Sequence, residues 1–166
     1  EAIEQFPGRV CLHIVGYETI GTIGYLTEFL QYAKNLGLEK AVHVYPASSR
    51  YSLWAAMRKT DIGLGMLAGE DINLQTMVGA SNKVFDYMAS GLALLVTDMP
   101  GWQDTFVNPG YGLACNPTDQ ASIANALCWW FDHPLEVRKM GERGRQQILA
   151  EWNYEHQFAP VLNCIF

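Results

Sequence analysis

Lys83 and Asp86 stand three residues apart in the stretch SNKVFDYMASGLALLVTD, residues 81–98. The stretch reads as a short polar turn, one amphipathic helix, Gly91, and a continuous apolar run from Leu92 to Val96. A helix that feeds a buried strand and carries a cation and a carboxylate in its first turns suits an anion-and-ribose site. Its N-terminus offers unpaired backbone N–H groups and positive dipole to a phosphate, and Lys83 adds a full charge. Without an anion that lysine opposes the dipole, so its placement favours a ligand role over a solvated surface lysine. Asp86, one turn on, can accept hydrogen bonds from a pair of sugar hydroxyls. A carboxylate there also simply suits the dipole, and both readings stand. Tyr87 and Met88 are expected to pack.

The elements that must hold these residues alternate between strand and helix, the pattern of an α/β parallel sheet wrapped by helices. Strands are expected at Arg9–Gly16, Ala41–Tyr45, Ile62–Leu67, Leu92–Thr97 and Tyr111–Cys115. Tyr25–Gly37 is a helix with an apolar stripe of Leu26, Phe29, Leu30, Ala33 and Leu36, stopped by Gly37. Ser48 or Ser49 caps a helix to about Lys59 with Leu53, Trp54 and Met57 inward. Ala68–Ala80, with two glycines and little periodicity, reads as a mobile loop, and Met99–Asn108 as irregular or a short helix. Thr118 caps a helix with Ile123, Leu127, Trp130 and Phe131 inward, and Pro134 opens the next, to about Glu151. A final aromatic-rich helix, Trp152–Phe166, exposes Trp152, Tyr154 and Phe158 to cover this domain or a partner.

In open parallel sheets ligands bind beyond the carboxyl ends of the strands. The loops Gly16–Gly24, Pro46–Arg50, Ala68–Asn82 and Asp98–Gly101 fall on that edge and are expected to converge on one cleft. GYETIGTIG lacks the G-x-G-x-x-G spacing of a dinucleotide fold and reads first as a flexible turn. Glu18 in it can meet ligand hydroxyls or lie in solvent. Arg50 can grip a phosphate bidentately or face solvent.

Composition fits a well-packed domain. At 166 residues, 49% apolar and 17% charged, the chain can bury on the order of 70% of its unfolded surface. A net charge of −6 argues against a general nucleic-acid binder, which needs many cations. A nucleotide-sized anion needs only one or two. No apolar run approaches the ~20 residues that span a bilayer and no signal peptide opens the chain, while the cysteine usage fits a reduced cytoplasmic setting. EAIEQFPGRV lacks an initiator Met and reads as the middle of a longer chain, one domain excised from it. Cys11, Cys115, Cys128 and Cys164 have no metal-ligand spacing, and no metal site is expected. Cys11 and Cys128 are expected to be buried small hydrophobes, and His13 and His43 hydrogen-bonded structural histidines.

SNKVFDYMASGLALLVTD resembles the P-N-K-x-x-E-Y-x-A-x-G-x-P-V-V segment of GT-B-fold glycosyltransferases, especially the retaining "glycosyl transferases group 1" family. LHIVG is similar to that family's L-x-I-x-G strand, and AVHVYPASSRYSLWAAMRKTDIGLGML to its V-x-F-x-G, helix, A-D-I-x-L-x-P succession. GWQDTFVNPGYGLACNPTD and the closing helices match its G-x-x-E-x-x-x-x-G-x-x-G-x-L-x-x-P-x-D and D-P-x-x-x-x-x-M-G-x-x-G-R segments.

The resemblance implies a Rossmann-like domain, the C-terminal donor-binding half of such an enzyme. It implies a nucleotide diphosphate sugar as donor substrate, an acceptor hydroxyl, no cofactor and no metal. Asp86 would take the ribose hydroxyls and Lys83 a phosphate. Ala80, Ser81 and Asn82 would offer backbone groups to the diphosphate or sugar. Tyr45 and Pro46 would lie near the base, and Gly16 ends the first strand at that edge. The family's sugar-contacting glutamate, eight residues before the ribose acid, is Val78 here, with Glu70 or Asp71 as substitutes. Asp86 is one methylene shorter than the usual Glu, and Ala93 replaces the usual Pro. The family's arginine–lysine pair would precede residue 1, and an N-terminal acceptor domain would complete the catalytic centre. No catalytic residue is therefore named. A lipid acceptor at the inner face of a membrane is a common arrangement among relatives. A non-catalytic nucleotide-sensing module, encouraged by Val78, and a nucleotide-sugar epimerase of similar fold remain open.

Overall fold

The computed structural model describes residues 2–69 and 76–165. They pack as two compact units, Glu1–Leu53 and Trp54–Phe166.

In the first unit strand β1 (Leu12–Val15), helix α1 (Tyr25–Asn35) and strand β2 (Val42–Tyr45) follow a 3-10 turn at Ala2–Gln5. β1 and β2 are parallel, with His13 opposite His43 and Val15 opposite Tyr45. Parallel neighbours need a crossover, which α1 supplies. α1 buries Ala33 and gathers Phe29, Leu36, Leu38 and Val42 into a small apolar cluster with Leu12 and Val44. Leu30, at the margin of the stripe, is exposed instead. The helix ends as expected at Gly37, whose φ of +69° only glycine adopts cheaply. Leu38 N–H bonds Ala33 C=O and Gly37 N–H bonds Lys34 C=O, both at 2.9 Å, which satisfies two terminal carbonyls. Cys11 lies just before β1 and is exposed, not buried, because the strand begins one residue later.

Helix α2 (Arg50–Met57) carries the boundary between the units. Ser49 caps it, its Oγ accepting the Ser52 N–H at 3.2 Å.

The second unit holds β3 (Ile62–Gly65), α3 (Asn82–Ala89), β4 (Ala93–Thr97) and β5 (Gly112–Cys115). Three helices close it: α4 (Gln120–Asp132), α5 (Pro134–Ala150) and α6 (Tyr154–Ile165). The sheet order is β3-β4-β5, parallel throughout. β4 is central and every one of its residues is buried, which is why its sequence is an unbroken apolar run. Val84 and Met88 of α3, Leu94 and Val96 of β4, and Trp102 and Phe106 form the core, all fully buried. Trp102 ends a one-turn helix from Pro100, and Phe106 lies in the π-helical turn Gln103–Val107 that continues it. The extra residue of that wider turn lets both rings point into one core.

Gly141 of α5 sits so close to α3's exit that a Cβ there would overlap the Gly91 carbonyl oxygen. Gly91 itself, at φ +79°, ends α3, with Leu92 N–H bonding Tyr87 C=O at 3.0 Å.

Three further expectations are corrected here. α4 is capped by Asp119, whose Oδ1 accepts the Ala121 N–H at 2.9 Å. Thr118 lies one residue before the N-cap, and its hydroxyl donates instead to Asn116 Oδ1 at 2.8 Å. Cys128 is exposed, on the α4 face opposite the sheet, next to buried Leu127. Trp152 is not an exposed aromatic. It makes edge contacts with Phe85, Phe106 and Tyr111 at centroid distances of 5.8, 6.2 and 5.8 Å. Cys115 is buried, and burial, with Asp98 as a lesser cause, pushes its thiol up to about 11. Among the described residues no helix is long and apolar enough to cross a membrane.

Candidate functional site

In the second unit α3 runs back from the carboxyl edge of the sheet, so its N-terminus stands on that edge. The approach is a 3-10 turn, Met77–Gly79, from which Ala80 N–H and Ser81 N–H both reach the Met77 carbonyl, at 3.1 and 3.2 Å. Ser81 then takes the N-cap position with extended backbone angles, φ −83° and ψ 97°. Its side chain makes no capping bond although the residue is 95% buried, and no acidic residue stands in the first turn. Asn82 and Lys83 follow, both exposed, while Val84 and Met88 anchor the helix in the core. Among the described residues, the helix therefore presents its first-turn amides and one lysine at the sheet edge, with no cap from the Ser81 side chain and no acidic residue in its own first turn.

Asp86 lies one turn further, half-buried. The indole Nε1–H of Trp54, on α2, points to its Oδ1 at 3.4 Å. Trp54 was expected to face inward, but it is 38% exposed: Met57 takes the buried position and Trp54 lies over α3. No sequence signal joins Trp54 to a carboxylate 32 residues away. Tyr87 packs, as expected, and its phenol is raised above its ordinary pKa by burial first and the Asp86 charge second.

Val78, in the place of the glutamate named above, is half-buried and packs against the Trp102–Phe106 core. Glu70 and Asp71 lie outside the described residues.

In the first unit, Gly16 N–H bonds the Tyr45 carbonyl at 3.1 Å, extending the β1–β2 ladder to the carboxyl ends of both strands. Tyr45 and Pro46 are exposed at that end. The Tyr45 ring stacks on His13 and is tilted to His43, with Oη 3.3 Å from His13 Nδ1. His13 thus has a partner as expected, on the open face of the strand pair. Glu18 is not a loose loop carboxylate: its Oε1 accepts the Leu26 N–H at 2.6 Å and so closes the N-terminus of α1. Arg50 is the exposed first residue of α2.

Two open cavities of the second unit, of about 600 and 440 Å³, lie elsewhere. One is bordered by α5 and Tyr111, the other by Asp98, Gln103 and α4, and neither includes a residue of the set above. Among the described residues no group of three or more His, Cys, Asp or Glu side chains could hold a metal ion.

Solved structures share this fold at low sequence identity. HepE of Anabaena in complex with UDP superposes at a TM-score of 0.76 and 18% identity over 98% of this chain. The C-terminal domain of LpcC, a glycosyl transferase group 1 family protein of Francisella tularensis, gives 0.74 and 17% over 92% of this chain and 76% of its own. WaaG, a glycosyltransferase involved in lipopolysaccharide biosynthesis, gives 0.70 and 18% over 98% of this chain. The chain spans 43% of the length of HepE and 40% of WaaG. No curated protein sequence matches it. Its residues 1–163 match the family described as glycosyl transferase-like, and the chain belongs to that family.

Proposed function

We propose that this chain is the donor-binding part of a glycosyltransferase that moves a sugar from a nucleotide diphosphate sugar to an acceptor hydroxyl. The observation that carries the reading is the α3 N-terminus: not capped by the Ser81 side chain, free of acidic residues in its own first turn, and bearing Lys83. The diphosphate lies there, against the Asn82 and Lys83 amides and the ammonium group, and Asp86 takes the ribose hydroxyls. When the bond from the anomeric carbon to the diphosphate oxygen breaks, the electron pair stays with the diphosphate. Lys83 and the helix dipole stabilise the charge that develops on it. The acceptor oxygen takes the anomeric carbon and its proton leaves to a group outside this site. The nucleotide sugar is substrate, and the proposal includes no cofactor or metal. Support comes from family membership and from the UDP and UDP-glucose complexes of HepE, which has this fold.

A non-catalytic nucleotide-binding role is the second reading, favoured by Val78, which packs in the core where the resemblance places a sugar-contacting glutamate. Replacing Lys83 with alanine in the full-length protein distinguishes the two. A charge-assisted phosphate contact is worth ~1.5–3 kcal/mol, so kcat/KM for the donor should fall about 10- to 100-fold. Transfer at the wild-type rate refutes the assignment. Nucleotide binding with no transfer by the wild type selects the second reading.

A further inference from the structure

We propose that Trp54 is a positioning residue for the ribose-binding carboxylate, an inference that rests on the reading of Asp86 given above. Three observations point to it. The indole Nε1–H is directed at Asp86 Oδ1 across 3.4 Å, a long bond of the kind that tightens when a site is occupied. A second contact joins the same two segments. Three residues further along α2 the buried Met57 receives on its sulfur, at 3.5 Å, the hydroxyl of Ser90, the residue that ends α3. Trp54 itself is 38% exposed, so burying the ring is not enough to explain why a tryptophan stands there.

The chemistry follows from the geometry. An aspartate side chain has two torsions, and a hydroxyl pair on adjacent ribose carbons needs its carboxylate in one orientation. A carboxylate offers about four lone-pair positions, so one indole donor on Oδ1 is compatible with further hydroxyl donors. Indole is donor only, so its N–H holds one carboxylate oxygen toward α2 and leaves the other turned away from it. Aspartate is short, and a rotation of its carboxylate cannot be compensated by a longer stem. An indole clamp makes up for that.

The test measures Kd of the full-length protein for UDP, ADP and GDP and for their 2′,3′-dideoxy forms, taking the base that binds best. The readout is the ratio of dideoxy to ribo Kd. Asp86→Asn should collapse the ratio toward one. Trp54→Phe, which keeps the ring and most of its area but removes the N–H, should lower the ratio by about fivefold, the effect of one hydrogen bond. It should leave affinity for the dideoxy form within about twofold. In the Asp86→Asn background Trp54→Phe should have no further effect on the ratio. A ratio unchanged by Trp54→Phe but collapsed by Asp86→Asn overturns the positioning role and keeps the ribose site. An equal loss for both nucleotide forms shows a packing role only, and also overturns it. A ratio insensitive to Asp86→Asn removes the ribose reading, and the role of Trp54 with it.

Discussion

Lys83 and Asp86 face different demands although they share one helix. Lys83 is exposed in the first turn, where a cation is unfavourable to the helix itself, and its placement makes sense through an anion. Asp86 is half-buried beside an indole donor and is shaped by neighbours on α2. A glycine that packs against the end of this helix is less visible chemically. Gly141 on α5 touches the Gly91 carbonyl, so any side chain there must push α5 away from the α3–β4 connection. Gly141→Ala should destabilise the protein by about 2–3 kcal/mol, an overpacking cost against rigid backbone. Urea unfolding measures it, and a loss below about 0.5 kcal/mol would contradict the close approach.

Helix N-termini in this chain are closed in different ways. α4 is closed by the Asp119 carboxylate and α1 receives the Glu18 carboxylate, whereas the Ser81 hydroxyl makes no such bond to α3. Asp119→Ala should therefore cost about 1 kcal/mol in unfolding free energy, and Ser81→Ala less than about half of that. An equal cost at both positions would mean that Ser81 caps α3 in solution and that its amides are not held for a ligand. The same contrast explains what could be read in advance. β4 was legible because a central parallel strand must be apolar throughout, and α3 because Gly91 and the run after it mark its end. The cap of α4 was misplaced by one residue, since Thr118, Asp119 and Asn116 all have capping side chains and only the Asx turn at Asn116 decides among them. Cys11, Cys128 and Trp152 were misjudged because a strand start, a helix face and a helix start each moved by a residue or two. The Trp54–Asp86 pair could not be read at all, because it depends on how two helices pack.

At the scale of the whole molecule, a chain of net charge −6 must bind an anion through local charge and dipole rather than through a general field. That concentrates the proposed donor site on few groups, and it makes the order of elements matter: β3, the crossover through α3, and the buried β4 behind it put those groups at the carboxyl edge of the sheet. The first unit supplies its own edge at Gly16, Tyr45 and Pro46, with Glu18 already engaged on α1. The chain covers 40% of WaaG and 43% of HepE, so the proposed transfer is to be tested on the full-length protein. The most direct test is a crystal structure of that protein with a nucleoside diphosphate bound. The account predicts a β-phosphate oxygen about 3 Å from the Asn82 and Lys83 amides, the Lys83 ammonium on the same group, and both ribose hydroxyls on Asp86. A nucleotide seated away from the α3 N-terminus, with Lys83 and Asp86 untouched, would contradict it.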